Sequence, residues 1–334
     1  MKNIRLLTFL ILMTVVSTFM IGCGSNASKS NETNAPATEG NAKEVRLAYV
    51  PLPHYSPLLI AKQNGWIEES LKPLNVNVKW NSFSIGPLVS ESFAAGGQDV
   101  GVMGDFPAII GRSANVDTRI VGITSTSPQS LALVVPKNSS ITSPADLKGK
   151  KVATTKGSYG QYLLSQLLES KGLTVNDIKF IHMSMDDVKS ALLTGDIDAG
   201  VIWDPLLTIL EDQNAIRIIA DGTGYYQGIA VMIADHKFAA ANPKVVTAIL
   251  AAYERGAQFI KSNPTEAKDL VAKEVKIPPA QLAKIIDRFN YQPAITPEIT
   301  EELKKSEAFM AKNQIIKNSV DIDKFVDKSY FLLQ

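Results

Sequence analysis

The chain has little of the chemistry that metal sites and disulfide frameworks need. Its 334 residues include one cysteine and three histidines, His54, His182 and His236, none of which is spaced as a metal-binding pair. A single cysteine excludes a disulfide framework and a cysteine-based metal cluster. The formal net charge is only +1, far from the basic surplus of nucleic-acid-binding proteins. We therefore expect no metal, no cofactor and no nucleic-acid partner.

The N-terminal segment has the pattern of an export signal that ends at the cysteine. Lys2 and Arg5 precede an apolar run from Leu6 to Ile21, which is short for a membrane span. Met20-Ile-Gly-Cys23 resembles the lipobox of bacterial lipoproteins, with Met in place of the usual Leu. The resemblance implies that residues 1–22 are a signal peptide and that Cys23 is acylated. A chance cysteine in an apolar leader is the alternative.

Residues 23–43 are predicted to form a lipidated, flexible tether. Ser, Asn, Ala, Thr and Gly predominate there and offer too little apolar surface to offset the entropy of ordering. A lipid at one end and a folded body at the other predict an extracytoplasmic protein that is anchored to the cell membrane, in a periplasm or on an outer cell face.

Three strand-to-helix turns in the first half predict one ligand-facing edge. Strands at Val45–Val50, Val76–Trp80 and Asp99–Met103 each lead into a turn that contains Gly or Pro and starts a helix. Open α/β sheets bind ligands at the carboxyl ends of such strands. Turn packing and helix capping are the alternatives, and N-capping is the simpler interpretation of Asp105. The candidates on these turns are His54, Tyr55, Ser84, Gly86, Gly104 and Asp105.

A fourth turn, Lys156-Gly-Ser-Tyr159, has the pattern of an anion seat. It joins an apolar strand from Val152 to a helix whose leucines recur at helical spacing before Gly172. The first N–H groups of that helix, the positive end of its dipole and the Ser158 hydroxyl suit a small anion. The spacing of a P-loop or a dinucleotide fingerprint is absent. A plain helix cap is the alternative. The candidates are Lys156, Gly157, Ser158 and Tyr159.

A repeated phrase indicates two similar lobes. Gly96-Gly-Gln-Asp99-Val-Gly101-Val-Met-Gly-Asp105 matches Gly195-Asp-Ile-Asp198-Ala-Gly200-Val-Ile-Trp-Asp204 at one constant offset, and 45% hydrophobic residues can fill one large or two modest domains. Apolar strands at Ser130–Val135 and Gln227–Ile233 bracket the second copy and would give two crossings and a hinge. Lobe 1 is predicted at 44–135 plus 227–334, with the helices after Asn242 packed on it, and lobe 2 at 136–226.

The second lobe contributes further candidates from two more turns. Trp203 offers a flat apolar wall, and Asp204 offers a partner for an ammonium or hydroxyl group. Core packing for Trp203 and helix capping for Asp204 are the alternatives. Tyr225 or Tyr226, in a turn-rich approach to the return crossing, could close over a ligand.

In chain order, these motifs resemble those of the solute-binding proteins of ABC importers for aliphatic sulfonates, taurine and nitrate. The resemblance covers about residues 44–330, and its most specific phrases are Lys156-Gly-Ser158 and Ile202-Trp-Asp-Pro205. It implies a type II periplasmic-binding fold, in which two α/β lobes joined by a two-strand hinge hold a ligand unchanged. The sulfonate site that it implies comprises Ser84, Gly86, Gly104, Asp105, Gly157 to Tyr159, Trp203 and Asp204.

The resemblance implies transport rather than catalysis. We expect a monomer that delivers a small organic anion, an aliphatic sulfonate or taurine, to an ABC permease and its ATPase subunits. Relatives of the same fold bind nitrate or pyrimidine precursors of thiamine, and Tyr159 stands where Ser is commoner, so the cargo stays open. A hydrolase built on Ser158 and His182 is an alternative, although no nucleophile-elbow phrase is present. A surface lipoprotein without cargo is another.

Overall fold

In Gly40 and residues 42–331, which the computed structural model describes, ten strands form two five-stranded sheets. The predicted signal peptide and Cys23 lie outside these residues, as does the predicted tether apart from Gly40, Ala42 and Lys43. At the end of that tether, the Gly40 N–H donates to the carbonyl of Ala241. Within the described range, every helix is too short or too polar to cross a bilayer.

The first sheet has the strand order β2-β1-β3-β10-β4. β1 pairs in parallel with β2 and β3, and β10 runs antiparallel to both of its neighbours. Its inner strands are almost continuously apolar and buried, as a sheet covered on both faces requires. The strands are β1 (Glu44–Tyr49), β2 (Asn77–Ser82), β3 (Val100–Gly104), β4 (Thr118–Ser125) and β10 (Ala230–Asp235).

The second sheet repeats this design with the order β7-β6-β8-β5-β9. β6 pairs in parallel with β7 and β8, and β5 is the antiparallel strand between β8 and β9. In each sheet the antiparallel strand is the one that directly follows a crossing along the chain: β10 in the first sheet and β5 in the second. The strands are β5 (Leu131–Pro136), β6 (Lys151–Thr154), β7 (Lys179–His182), β8 (Ala199–Trp203) and β9 (Ile216–Asp221).

The repeated sequence phrase corresponds to equivalent places in the two sheets. Asp99 precedes β3, and its carboxylate accepts the N–H of Arg46 in β1 at 2.7 Å. Asp198 precedes β8, and its carboxylate accepts the N–H of Lys151 in β6 at 2.8 Å. Each aspartate thus ties the start of its strand to the neighbouring strand, which gives the recurrence a structural reason.

The crossings between the sheets lie at residues 126–130 and 222–229. We expected the strand Ser130–Val135 to belong to lobe 1, but β5 pairs only with β8 and β9 among the described residues, so it belongs to the second sheet. The change of sheet therefore comes before β5 rather than at residue 136. The return to the first sheet lies between β9 and β10.

Helices cover both sheets, and six of the thirteen described α-helices follow a strand in the order of elements. α9 buries its predicted apolar stripe, including Val246, Ile249 and Tyr253, against α1 and α2. The helices are α1 (Ser56–Gln63), α2 (Trp66–Leu71), α3 (Gly86–Ala94), α4 (Asp105–Ser113), α5 (Tyr159–Glu169), α6 (Met185–Thr194), α7 (Leu206–Asp212), α8 (His236–Ala241), α9 (Pro243–Ser262), α10 (Pro264–Val275), α11 (Pro279–Ile286), α12 (Pro297–Lys312) and α13 (Ile322–Phe325).

The C-terminal segment also contacts the second sheet's layer, which the sequence did not predict. Arg288, just after α11, pairs with Asp204 and with Glu211 of α7. Farther along, Lys312 lies 3.6 Å from Glu169 at the end of α5. The expected packing on lobe 1 is therefore only part of the role of this segment, because it also forms ion pairs with residues beside the second sheet.

Candidate functional site

The loops after six strands meet around one cavity of about 940 Å³. In the first sheet these loops follow β1, β2 and β3, and in the second they follow β6, β7 and β8. All six strands pair in parallel with a neighbour in this set, so their carboxyl ends point toward the cavity from its two sides. The volume lies in the range of small-molecule sites.

Most of the residues predicted as candidates line this cavity together. Both halves contribute, and the two crossings supply Ser130, Tyr226, Gly228 and Ile229, with Leu131 following at the start of β5. The predicted residues that the lining includes are His54, Tyr55, Ser84, Gly86, Gly104, Lys156, Gly157, Ser158, Tyr159 and Trp203. Asp105, Asp204 and Tyr225 are absent from the lining, each for a reason that its own contacts show.

The start of α5, where the sequence predicts an anion seat, has two available backbone donors. Ser158 is the N-cap, a role that the sequence left as the alternative to ligand binding, and its Oγ accepts from the N–H groups of Gly160 at 3.1 Å and Gln161 at 3.4 Å. Among the described residues, no acceptor faces the N–H groups of Ser158 and Tyr159. These two donors, with the helix dipole behind them, remain for a ligand.

Two side chains fix the turn that leads into α5. His182, at the end of β7, accepts the Lys156 N–H at its Nδ1 over 3.0 Å. The Gln161 side chain accepts the Gly157 N–H at 2.8 Å. Gly157 itself has φ of 72°, a left-handed conformation that favours glycine. His182 thus supports the turn, and Gly157 shapes the seat rather than donating to a ligand.

The start of α3 faces the cavity from the first sheet's side. Its N-cap, Ile85, provides no side-chain cap, so the N–H of Gly86 is left without a side-chain acceptor. A Cβ on Gly86 would come within 3.0 Å of Pro107 in α4, and one on Gly104 within 3.9 Å of the Tyr159 ring. The starts of α3, α4 and α5 therefore lie close together, and an anion between α3 and α5 would receive donors from both halves.

Asp105 is not exposed to the cavity. Its side chain is fully buried, and its carboxylate accepts from the Tyr226 hydroxyl at 2.7 Å, the Phe106 N–H at 2.8 Å and the Ser306 hydroxyl at 3.1 Å. The N-cap of α4 is Gly104, so the predicted capping role of Asp105 falls one residue earlier. Burial raises the pKa of this carboxyl to about 7. Asp105 joins α4, the return crossing and α12.

Asp204 is likewise occupied by the protein. It is fully buried, accepts from the Thr208 N–H at 3.0 Å and hydroxyl at 2.7 Å, and pairs with Arg288 at 3.1 Å. The contact with Thr208 satisfies an N–H in the first turn of α7, although the N-cap of that helix is Pro205 rather than Asp204. A buried carboxylate with these partners has no oxygen left for the ammonium that the sequence assigned to it.

The aromatic wall of the cavity comes from three rings. Tyr159 lies 4.7 Å from Trp203 and 6.2 Å from Tyr226 between ring centroids. Tyr226, rather than Tyr225, lines the cavity, because its hydroxyl is fixed by Asp105 while Tyr225 packs against the core beside it. The sequence left open whether Tyr225 or Tyr226 faces the ligand side, and only the geometry of the turn distinguishes them.

His54 offers the cavity a neutral ring. Its edge packs on Phe289, with centroids 4.7 Å apart, and its buried Nδ1 has no hydrogen-bond partner among the described residues. Burial lowers its pKa to about 4, so the ring is uncharged at neutral pH. His54 can therefore contribute a hydrogen bond but no positive charge.

The apolar part of the lining was not predicted from the sequence. Ile85, Phe106 and Pro107 stand inside the predicted turns and could have been identified from them. Ile110, one helical turn after Pro107, follows from the spacing once the start of α4 is known. Ile315 has no local sequence signal, because the C-terminal chain brings it to within 3.6 Å of a Cβ placed on Gly157.

A family model described as NMT1/THI5 like matches residues 52–267. Of the described residues that line the cavity, only Ile315 lies outside this range. The chain belongs to the NMT1/THI5-like family. A protein of Bacillus subtilis (strain 168) named as an aliphatic sulfonates-binding protein is 28% identical over 327 residues, covering 96% of this chain and 95% of that protein. The taurine-binding periplasmic protein of Escherichia coli (strain K12) is 26% identical over 231 residues, covering 68% and 70%.

This NMT1/THI5-like chain is similar in fold to a solved structure. The periplasmic aliphatic sulphonate binding protein SsuA from Escherichia coli matches with a TM-score of 0.80 at 27% identity, over 86% of this chain and 92% of that one. The predicted type II periplasmic-binding fold, two α/β sheets with two crossings and C-terminal helices, is therefore confirmed.

Proposed function

We propose that the protein is an extracytoplasmic solute-binding lipoprotein that delivers a small organic anion, an aliphatic sulfonate or taurine, to an ABC importer. The observation that carries this proposal is the convergence of the starts of α3 and α5 on one cavity that holds no buried carboxylate of its own. The names and folds of the relatives support the same role.

The chemistry of the cavity suits a sulfonate head group. A sulfonate is a weakly basic, monovalent anion whose oxygens match neutral donors at helix starts. Among the described residues that line the cavity there is no arginine, and Lys156, the one lysine among them, is exposed at the rim. A cavity of about 940 Å³ is far larger than nitrate needs, so an anion with an organic part fits it better.

The two halves are proposed to act as lobes that close on the cargo. Residues 126–130 and 222–229 would bend as the hinge, and the second sheet with its helices would move against the first. The closed protein, as a monomer, would then dock on the permease and its ATPase subunits. Acylation of Cys23 would keep it at the membrane.

The proposal is tested with purified full-length protein in detergent solution. Isothermal calorimetry and thermal unfolding are measured with alkanesulfonates, taurine, nitrate and a thiamine pyrimidine. At one hundred times its Kd, a ligand stabilises the native state by about 2.7 kcal/mol, which a melting curve resolves. The proposal predicts that at least one sulfonate binds and is recovered unchanged. Binding of the thiamine pyrimidine alone would make the pyrimidine, rather than a sulfonate, the cargo. Chemical turnover of a ligand by the wild type that is lost in S158A would support a hydrolase instead.

A further inference from the structure

One side of the cavity forms an apolar trough that leads away from the helix starts. Pro107, Ile110 and Gly111 on α4 share one face with Ala114, the residue directly after that helix, and all four line the cavity. At a rise of 1.5 Å per residue this stripe extends for about 10 Å. Ile85 beside α3, Met185 at the start of α6 and Ile315 complete the walls.

Two of the large apolar side chains along this trough are exposed to solvent. Ile85 is 53% exposed and Ile110 is 36% exposed, and both border the trough. Large apolar side chains held open at a cavity mark a surface that an apolar ligand can cover. Met185 adds a flexible wall that adapts to tails of different shape.

The same cavity lacks a buried partner for a cation. Asp105 and Asp204 are fully buried outside the lining, and their oxygens are occupied by protein donors. The carboxylates that do line the cavity, Glu91 and Asp186, are exposed at its rim, where water weakens an ion pair. Tyr159 packs on both Trp203 and Tyr226, so each of these three rings is partly covered by a neighbouring ring.

We propose that the site selects a sulfonate with an uncharged, hydrophobic tail of several carbons and discriminates against taurine. This inference rests on the proposed function and decides between the two cargoes named there. The head group lies between the starts of α3 and α5, and the tail follows the α4 stripe toward Ile85 and Ile110. An ammonium on that tail would lose its hydration without gaining a buried partner.

Taurine and propanesulfonate make a matched pair, because they differ only by an ammonium in place of a methyl group. Calorimetry on the full-length protein should show propanesulfonate binding at least about tenfold more tightly than taurine. From ethanesulfonate to octanesulfonate, Kd should fall by roughly two- to fourfold per methylene that becomes buried. Both results would support the inference.

Two variants locate the tail. I110S should flatten the dependence of Kd on chain length, because it removes an apolar wall of the trough. L193S is the control, since Leu193 is 52% exposed on α6 and lies outside the lining, and it should retain the full dependence. Taurine binding as tightly as propanesulfonate would overturn the inference while leaving the proposed function intact. Failure of every sulfonate to bind would overturn both.

Discussion

Proline at position 159 would remove one backbone donor of the anion seat without breaking the helix. Tyr159 is the first residue of α5, a position where proline is well tolerated because that N–H has no intrahelical acceptor. Ser158 has φ of −110° and ψ of 164°, an extended conformation that suits the residue before proline. The Ser158 cap accepts from Gly160 and Gln161, so it would survive the change.

The size of the effect follows from the type of hydrogen bond. A hydrogen bond to a charged group contributes about 1.5–3 kcal/mol, so losing the Tyr159 N–H should weaken sulfonate binding by about 10- to 100-fold. Proline also removes the aromatic ring, which lies against Trp203. Y159A is therefore the matched control, because it loses the ring and keeps the N–H.

Calorimetry with one alkanesulfonate should be run on the wild type, Y159A and Y159P, with melting curves to confirm that all three are folded. The ratio of Kd between Y159P and Y159A isolates the backbone donor. Equal affinities for these two variants, with both folded, would refute the assignment of the α5 start as the anion seat.

Three further outcomes are expected from the same structure. R288M leaves the buried Asp204 carboxylate without its cation and should lower the free energy of unfolding in urea by about 3–5 kcal/mol; a loss below about 1 kcal/mol would contradict a structural role for the pair. Burial raises the Asp105 pKa from 3.8 to about 7, so the native state holds a proton that the unfolded chain has released, and wild-type stability relative to D105N should fall as pH rises between these values; a constant difference would contradict this. C23S should move the protein from the membrane fraction of cells to the soluble fraction, and unchanged fractionation would argue against acylation.

The positions of the loops that line the cavity could be predicted because their signals are local. A turn with Gly or Pro between an apolar strand and a helical stripe, such as Lys156 to Tyr159, is encoded within a few residues. The recurrence of Asp99 and Asp198 indicated two similar units for a similar reason, since each aspartate ties two neighbouring strands of its own sheet.

The roles of the acidic residues could not be predicted, because their partners lie far along the chain. Asp105 is satisfied by Tyr226 and Ser306, and Asp204 by Arg288, none of which is near them in sequence. A carboxylate at the carboxyl end of a strand resembles a ligand-binding group until those distant donors are placed. Ile315 entered the cavity by the same kind of tertiary contact.

The most direct measurement is a crystal structure of the protein with octanesulfonate bound. We expect the sulfonate oxygens to accept from the Tyr159 N–H within normal hydrogen-bonding distance and to face the start of α3. The alkyl chain should lie along Ile110 and Ile85. A sulfonate bound elsewhere with this cavity left vacant, or one whose head group points toward Ile110, would contradict the proposed binding mode.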